Sequence, residues 1–375
     1  MMTTIFLIAS FNALFFTFLI LQKKKALHDK ILLYWLVYLG IYTGIYALSH
    51  NRLFTHFQFL SANFISLLLL HGPFLYLYLS ALVDHQFKLR YRNMFHFIPF
   101  ILFNAYILMA FWLPGTFGFV SLDHAESGQE PALLFNFFLA LTVLSGPVYF
   151  MASIRLFKKL DINIFNNFST SEDVNLNWLR KLVYSFGALW TILMVIATVH
   201  HIFHLFDRLF CTHGIFLSLS VFIILIGYYG LKQKEIFIQF PDRKIGYITG
   251  PKEKYSGSTL TEADAELYTE KIKRYMNEEK PYLDADLTLQ ELADRLQIPG
   301  YHLSRIINER FGQNFFDFIN KFRVEEVKRR ISDPASGYLS LLGIAFESGF
   351  NTKSAFNRVF KKFTGSTPGE FKKQF

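Results

Sequence analysis

The chain has 375 residues, of which 52% are hydrophobic and 18% are aromatic. This composition is too apolar for a protein that is soluble along its whole length, and the length allows two or three domains. A formal net charge of +9 is typical of membrane proteins and of nucleic-acid-binding proteins alike, so it separates neither class. The single cysteine, Cys211, excludes an intrachain disulfide framework and any multi-cysteine zinc site.

Seven long apolar stretches without Asp, Glu, Lys or Arg occupy the first 231 residues. Each has 18 residues or more, which is enough to cross the hydrocarbon core of a bilayer as a helix. They predict a seven-helix transmembrane bundle in contact with lipid. The lack of charge within them argues against ion-coupled transport and intramembrane proteolysis, which need titratable groups there. The predicted spans are centred on residues 2–21, 31–49, 59–83, 95–113, 132–154, 182–206 and 214–231.

Basic residues gather in alternate loops, which sets the expected orientation of the spans. The loops on the other side hold only Arg52 and Arg208, with several acidic residues. The positive-inside rule therefore places the amino terminus outside and the carboxyl terminus in the cytoplasm. The first span is read as a signal anchor, because its basic cluster follows the apolar run. The basic positions are Lys23, Lys24, Lys25, Lys30, Lys88, Arg90, Arg92, Arg155, Lys158, Lys159, Arg180, Lys181, Lys232 and Lys234.

Glycine-proline pairs interrupt two of the spans, at Gly72-Pro73 and Gly146-Pro147. Proline removes a backbone donor and kinks a helix. Two interpretations stay open: the pairs serve packing geometry, or they form a hinge or cavity that moves when a ligand binds.

Histidines gather towards the outer side of the sixth span. His200 and His204 are four residues apart, share a helix face and could chelate a metal ion. No carboxylate or cysteine completes such a site in the sequence, so we expect no metal and no cofactor. The sequence also lacks a zinc-protease helix motif, a serine-nucleophile motif and a phosphate-cradling glycine loop, so we expect no enzymatic activity.

A linker is predicted for residues 232–260, where proline, glycine and serine are frequent. One short strand is predicted within it, at Lys244–Ile248. A helix from Thr261 to Lys280 follows, with Thr261 as its cap and Pro281 at its end.

Two similar segments follow, each predicted to form two helices joined by a tight turn. Ala293 and Ala345 are small residues at which two helices can cross, and they are 52 positions apart. Each is followed four residues later by the turn, at Gln297 and Gly349. Glycine tolerates the left-handed conformation that ends a helix, whereas glutamine at the same place predicts some strain.

The last helix of the second segment has two unlike faces. Phe356, Val359 and Phe360 recur at helical spacing, and Asn351-Thr352 can cap the helix. From Arg295 onward the chain has 14 Lys and Arg against 7 Asp and Glu. Such a helix can bury one face and present donors and positive charge to a DNA major groove. The opposite face carries Lys353, Ser354, Asn357, Arg358 and Lys361.

About 90 residues at the end of the chain resemble the DNA-binding domain of the AraC/XylS family of bacterial transcription regulators. The resemblance implies an all-α tandem helix-turn-helix (homeodomain-like) domain over residues 261–375, with units at 287–312 and 339–365. It also implies seven helices, with one long linker helix between two recognition helices. Val327 and Arg330 depart from the smaller or apolar residues expected in the linker helix. The residues that match are Leu292-Ala293, Leu303-Ser304-Arg305, Phe311-Gly312, Arg323, Ile344-Ala345-Phe346, Gly349-Phe350, Ser354, Phe356, Arg358, Phe360-Lys361-Lys362, Gly365, Thr367-Pro368 and Phe371.

The resemblance also implies which residues contact double-stranded DNA. Arginine prefers guanine and asparagine prefers adenine in the major groove, whereas lysines and helix amino termini hold phosphates. The phosphate contacts would be Lys361 and Lys362. The base-facing residues would be Tyr301, Ser304 and Arg305 in the first unit, and Lys353, Ser354, Asn357 and Arg358 in the second.

The sequence therefore predicts a transmembrane domain at 1–231, a cytoplasmic linker at 232–260 and a DNA-binding domain at 261–375. We expect a transcription regulator of the bacterial cytoplasmic membrane whose spans sense a signal ligand. Two alternatives stay open: a polytopic transporter or membrane enzyme with a scaffolding or autoregulatory DNA-binding tail, and spans that only anchor. RNA polymerase and a second copy of the chain, paired through Leu267–Met276, are further partners to consider.

Overall fold

The computed structural model describes residues 2–22, 26–49, 65–83, 87–113, 133–170, 177–203, 208–232, 260–336 and 338–374. Among these residues the regular structure is helical, and one isolated antiparallel bridge joins Phe168 to Thr288. The all-α fold class is thereby confirmed. The predicted strand at 244–248 lies outside the described residues.

The chain divides into two compact units. Met1–Phe157 and Leu176–Ile238 form the first unit, and Lys158–Asn175 and Gln239–Phe375 form the second. The predicted boundaries at 231 and 260 stay predictions. The structure also groups Lys158–Asn175 with the second unit, although the sequence analysis placed these residues in the transmembrane domain.

Seven helices in the described part of the chain are long and apolar enough to cross a membrane. Two of these spans include a 3-10 stretch: Ile65–Val83 contains Leu68–Leu70, and Tyr91–Trp112 begins with Tyr91–Phe97. The helices are α1 (Met2–Leu21), α2 (Leu27–Ser49), α3 (His71–Val83), α4 (Ile98–Trp112), α5 (Leu133–Asn167), α6 (Asn177–Phe203) and α7 (Arg208–Lys232).

The surface of the first unit is apolar in a way that suits lipid rather than water. Phe11, Trp112 and Leu133 are 66%, 74% and 89% exposed. Large exposed apolar patches on a soluble protein would favour aggregation, whereas in a bilayer they contact acyl chains. The buried hydroxyls of Thr17 and Thr142 donate to carbonyls one turn earlier, so these polar groups are satisfied within their own helices.

The two glycine-proline pairs lie at close helix contacts. A Cβ atom on Gly72 would come within 3.0 Å of the Tyr149 ring, and one on Gly146 would lie 2.7 Å from the Trp190 ring. Both glycines therefore make room for an aromatic side chain of a neighbouring helix. This supports the packing interpretation of the pairs, and the hinge interpretation stays a hypothesis.

Helix α5 is much longer than a bilayer requires. It has 35 residues, whereas about 20 suffice to span the hydrocarbon core. The predicted span ended at residue 154, but the helix continues without interruption to Asn167. Its residues up to Phe157 belong to the first unit and those from Lys158 belong to the second.

Within the described residues from 260 onward, the second unit contains seven further α-helices, in addition to the end of α5. The predicted helix Thr261–Lys280 is confirmed as Glu262–Glu278, and Thr261 caps it by accepting a hydrogen bond from the amide of Asp264. The 3-10 turn Pro281–Leu283 then redirects the chain. The helices are α8 (Glu262–Glu278), α9 (Leu289–Leu296), α10 (Gly300–Arg310), α11 (Phe315–Ser332), α12 (Leu341–Glu347), α13 (Lys353–Thr364) and α14 (Pro368–Lys372).

Helix α11 is the linker helix, and it contributes to two hydrophobic cores. Phe318 and Ile319 pack with α8, α9 and α10 in the first core. Phe316, Val324 and Val327 pack with α12 and α13 in the second core. One helix thus holds both helix-turn-helix units through different faces. Val327 fills the second core and is fully buried, so its departure from the expected residue type is accommodated.

The two predicted turns have the expected left-handed backbone. Gln297 has a φ of 52° and Gly349 has a φ of 90°. A side chain in this conformation costs roughly 1 kcal/mol, which confirms that the first turn is strained. Ala293 and Ala345, the predicted helix-crossing residues, are both completely buried.

Candidate DNA-binding surface

Helix α13 presents a polar and basic face to the solvent. Its opposite face buries Phe356, Val359 and Phe360 in the second core. The hydroxyl of Thr352 caps the helix by accepting a hydrogen bond from the amide of Ala355 at 3.1 Å. Gly365, with a φ of 78°, ends the helix. The exposed side chains are Lys353, Ser354, Asn357, Arg358, Lys361 and Lys362, which are the residues predicted from the sequence for the second unit.

Helix α10 offers a smaller surface, and one of its three predicted contacts does not fit. Tyr301 is 39% exposed, whereas Ser304 is 4% exposed and accepts a hydrogen bond from the Asn308 side chain through its carbonyl. A buried side chain cannot reach a base edge, so the assignment of Ser304 as a base contact is corrected. Arg305 is partly exposed and forms an ion pair with Glu309 at 2.9 Å.

The two lysines predicted to hold phosphates have different surroundings. The Nζ atom of Lys362 lies 2.6 Å from Asp317 in the first turn of α11. This ion pair ties the second recognition helix to the linker helix and offsets part of the charge available to a phosphate. Lys361 is exposed on the basic face of α13.

A cluster of charges at the carboxyl-terminal half of α11 explains the second departure from the expected pattern. Arg330 pairs with Glu326 at 2.9 Å and with Glu347 of α12. Glu326 is buried, and Arg329 also donates to it at 2.7 Å. Hydrogen bonds from Arg329, together with Arg330 and Lys280, lower the pKa of Glu326 to about 2. Arg330 therefore fastens α11 to α12.

The sequence did not predict one contact: a segment at the end of α5 packs against the helix-turn-helix units. This docking segment, Asn163–Thr170, is mostly buried, with Phe168 at 2% and Ser169 at 1% exposure. The amide of Ser169 donates to the Leu287 carbonyl at 3.2 Å, next to the bridge between Phe168 and Thr288. The Phe165 ring stands 5.2 Å from the Phe316 ring, edge to face.

Arg323 of the linker helix is the centre of this contact. Its guanidinium donates to the Ser169 carbonyl at 3.0 Å and to the Ser169 hydroxyl at 2.9 Å. It also donates to the carbonyls of Tyr282 and Asp284, both at 2.8 Å. Burial lowers the pKa of Arg323 to about 9, and Asp284 and Asp286 act in the opposite direction. Arg323 therefore stays protonated at neutral pH.

Asn351 completes the contact from the turn of the second unit. Its side-chain amide donates to the Thr170 hydroxyl at 3.0 Å. The sequence suggested Asn351-Thr352 as a capping pair, but Thr352 is the cap and Asn351 contacts the docking segment. The segment and Asn351 are 181 residues apart. The one local feature that points to this contact is the continuation of α5 beyond the predicted fifth span, as far as Asn167.

Metal ligation is not supported in the described part of the chain, where no group of three His, Cys, Asp or Glu residues could hold an ion. The side chains of His200 and His204 lie outside the described residues. The predicted absence of a metal site therefore stays a prediction for that region.

The family described as "Helix-turn-helix domain" matches residues 292–374. This range contains α10 and α13, the two predicted recognition helices, and the linker helix between them. The fold and this match define the class of this part of the chain: a helix-turn-helix domain. The carboxyl-terminal part of the chain is an AraC-type helix-turn-helix domain.

Curated relatives with this domain are named as transcription regulators. The chain is similar to an uncharacterized HTH-type transcriptional regulator of Staphylococcus aureus strain COL, with 25% identity over 46% of this chain and 21% of the relative. It is 29% identical to the uncharacterized HTH-type transcriptional regulator YtdP of Bacillus subtilis strain 168, over 24% of this chain and 11% of YtdP. The matched region is thus about a fifth or less of these relatives' length.

A solved structure of a protein of unknown function from Listeria innocua also matches. It is 25% identical, and the match covers 28% of this chain and 95% of that protein. The TM-score of 0.25 is too low to support a shared overall fold.

Proposed function

We propose that this protein is a membrane-embedded, sequence-specific transcription regulator. The observation that carries the proposal is the exposed face of α13, where Asn357 and Arg358 stand beside Lys353 and Lys361. Arginine and asparagine read guanine and adenine through paired hydrogen bonds, and lysines neutralise phosphates. Helix α10 would be a second recognition helix, with Tyr301 and Arg305 as its base contacts. Arg305 would leave its ion pair with Glu309 and form hydrogen bonds with a base instead.

The membrane part of the proposal rests on the seven apolar helices and on the distribution of charge in the loops. The described helices are compatible with a membrane protein. The positive-inside rule places the DNA-binding unit in the cytoplasm of a bacterium, where DNA is accessible. The spans would respond to a signal ligand or to the lipid surroundings and would change DNA binding. RNA polymerase and a second copy of the chain are proposed as further partners.

A different proposal makes the spans a transporter or membrane enzyme that carries a scaffolding or autoregulatory tail, and a simpler one makes them an anchor. The absence of charged residues within the predicted spans favours the regulator, because transport and proteolysis need titratable groups there. We therefore propose no enzymatic activity. A promoter fusion in cells with the full-length protein separates the two roles of the spans. If the spans sense a signal, promoter activity should change with the medium. If they only anchor the protein, it should not.

The decisive experiment maps the genomic sites of the full-length protein and measures binding to one recovered fragment. Arg358→Ala should weaken binding by about 1–3 kcal/mol and relax preference at one base pair, because the bidentate contact is lost. Arg358→Lys keeps the charge without the planar fork, so it should also lose the base preference. Lys373→Ala removes one exposed cation outside the recognition helices and serves as the control. Unchanged base preference in Arg358→Ala and in Arg305→Ala together would refute the recognition-helix assignment.

A further inference from the structure

The docking segment contacts three parts of the tandem helix-turn-helix unit: the start of the first unit, the linker helix and the turn of the second unit. Phe168 and Ser169 meet Leu287 and Thr288, the residues that begin the first helix-turn-helix unit. Thr170 meets Asn351 in the turn before α13. Between these points, Ser169 binds the linker helix through Arg323.

Several hydrogen bonds hold the segment, alongside the buried Phe168 side chain and the contact between the Phe165 and Phe316 rings. Asn320 donates to the Ser169 carbonyl at 3.0 Å, in addition to the two bonds from Arg323 and the one from Asn351. Polar contacts of this kind can be exchanged for water at small net cost, unlike those of a hydrophobic core. The polar part of the contact can therefore be exchanged for water, as a segment that docks and is released requires.

The docked segment leaves the DNA-reading surface open. With Phe168 and Ser169 buried against the unit, Lys353, Asn357 and Arg358 remain exposed on α13. Docking is therefore compatible with DNA binding. By bridging both units and the linker helix, it would hold the two recognition helices at one fixed separation, and such preorganisation increases affinity.

The segment is also continuous with a predicted membrane span. Helix α5 runs from Leu133 to Asn167 without a break, and its last residues belong to the docking segment. A displacement along this helix would change the position of Ser169 relative to Arg323.

We infer that Asn163–Thr170 is the internal docking element through which the membrane domain controls DNA affinity, and that its docked state is the DNA-binding state. Release of the segment would leave the two units less fixed and would weaken binding. This inference rests on the proposed function. It assigns the control of DNA affinity to the cytoplasmic end of α5, which lies outside the predicted DNA-binding domain.

The contact itself is tested in full-length protein reconstituted in nanodiscs. In a Cys211→Ser background, Thr170→Cys and Asn351→Cys are combined and treated with a short bifunctional thiol reagent. Each single-cysteine variant is the control for labelling without linkage. An intrachain cross-link in most molecules is expected, because the two native side chains are hydrogen-bonded. Efficient labelling of both cysteines without a cross-link would overturn the docking.

The effect on affinity is tested with the genomic fragment recovered by mapping. Ser169→Ala and Thr170→Ala should each weaken binding about 3- to 10-fold, the range that loss of one or two hydrogen bonds gives. The cross-linked protein should bind at least as tightly as the wild type. Ser332→Ala, an exposed serine on the same linker helix, should bind like the wild type.

Wild-type affinity in both Ser169→Ala and Thr170→Ala, or weaker binding by the cross-linked protein, would overturn the link between docking and DNA binding. A different result would mark failure of the proposed function: no form, including Ser332→Ala, would distinguish the mapped fragment from random DNA. That result would also overturn control of affinity by docking, while the cross-link would still report the contact.

Discussion

Replacing Gly349 with alanine should destabilise the second helix-turn-helix unit far more than the same change at Gly365. Both glycines have left-handed backbone, with φ of 90° and 78°. At Gly365 a Cβ atom would meet nothing within 4 Å, so the substitution costs only the conformational strain, about 1 kcal/mol. Gly365→Ala is therefore the matched control.

At Gly349 the added methyl would meet the Tyr282 carbonyl within 3.0 Å, and Arg323 Nε at 3.0 Å. The Tyr282 carbonyl accepts a hydrogen bond from Arg323 and cannot move without weakening it. A hydrogen bond from a charged donor is worth about 1.5–3 kcal/mol, so with the strain of about 1 kcal/mol the total cost of Gly349→Ala should be about 2.5–4 kcal/mol.

Hydrogen exchange of the amides of α12 and α13, measured in the full-length protein, reports this local stability. Exchange should accelerate about 5-fold in Gly365→Ala and about 60- to 700-fold in Gly349→Ala, since 1.4 kcal/mol corresponds to a factor of ten. Equal acceleration in the two variants would refute the steric part of the reasoning.

Three other predictions concern salt, pH and topology. DNA affinity should fall steeply with salt, and Lys361→Ala should reduce the slope of log affinity against log salt by about 1. Lys362→Ala should reduce it less, because Asp317 engages Lys362; a salt-independent affinity would contradict phosphate binding. The pKa of Glu326 is about 2 in the folded protein against 4.5 normally, so its stabilisation is present above pH 4.5 and is lost as the pH falls towards 2. The ionised Glu326 contributes about 3 kcal/mol to the free energy of unfolding at neutral pH. In Glu326→Gln the free energy of unfolding should no longer fall between pH 4.5 and pH 2 through this group. An unchanged pH profile in the variant would contradict this role of Glu326. A reporter fused after Lys234 should be cytoplasmic and one fused within residues 122–129 should be outside, and the reverse would overturn the orientation.

Local features of the helix-turn-helix units were predictable because they follow from short-range chemistry. The spacing of Phe356, Val359 and Phe360 fixes the buried face of α13, and Thr352 and Gly365 fix its ends. The left-handed turn at Gly349 follows from the one residue type that adopts it readily.

The assignment of Ser304 was wrong because it was taken from position in a family pattern rather than from the phase of the helix. Leu303 and Ile307 flank Ser304 and are both completely buried, which turns the serine inwards with them. The apolar spacing of α10 already contained this information.

The docking segment could not be predicted, because its contacts join residues 116 to 181 positions apart. Neither Ser169 nor Asn351 belongs to a periodic pattern that would indicate its partner. Only the assembled fold brings the Arg323 guanidinium to a carbonyl of a distant loop.

The linker helix α11 has a consequence for how the protein fails when it is damaged. Phe318 packs in one core and Val327 in the other. Unfolding of this helix therefore unfolds both helix-turn-helix units together. Under the proposed function, a molecule that binds half of its DNA site through one folded helix-turn-helix unit is therefore not a stable product. If the protein binds DNA as proposed, heat or proteolysis should abolish binding entirely instead of leaving partial binding at other sites.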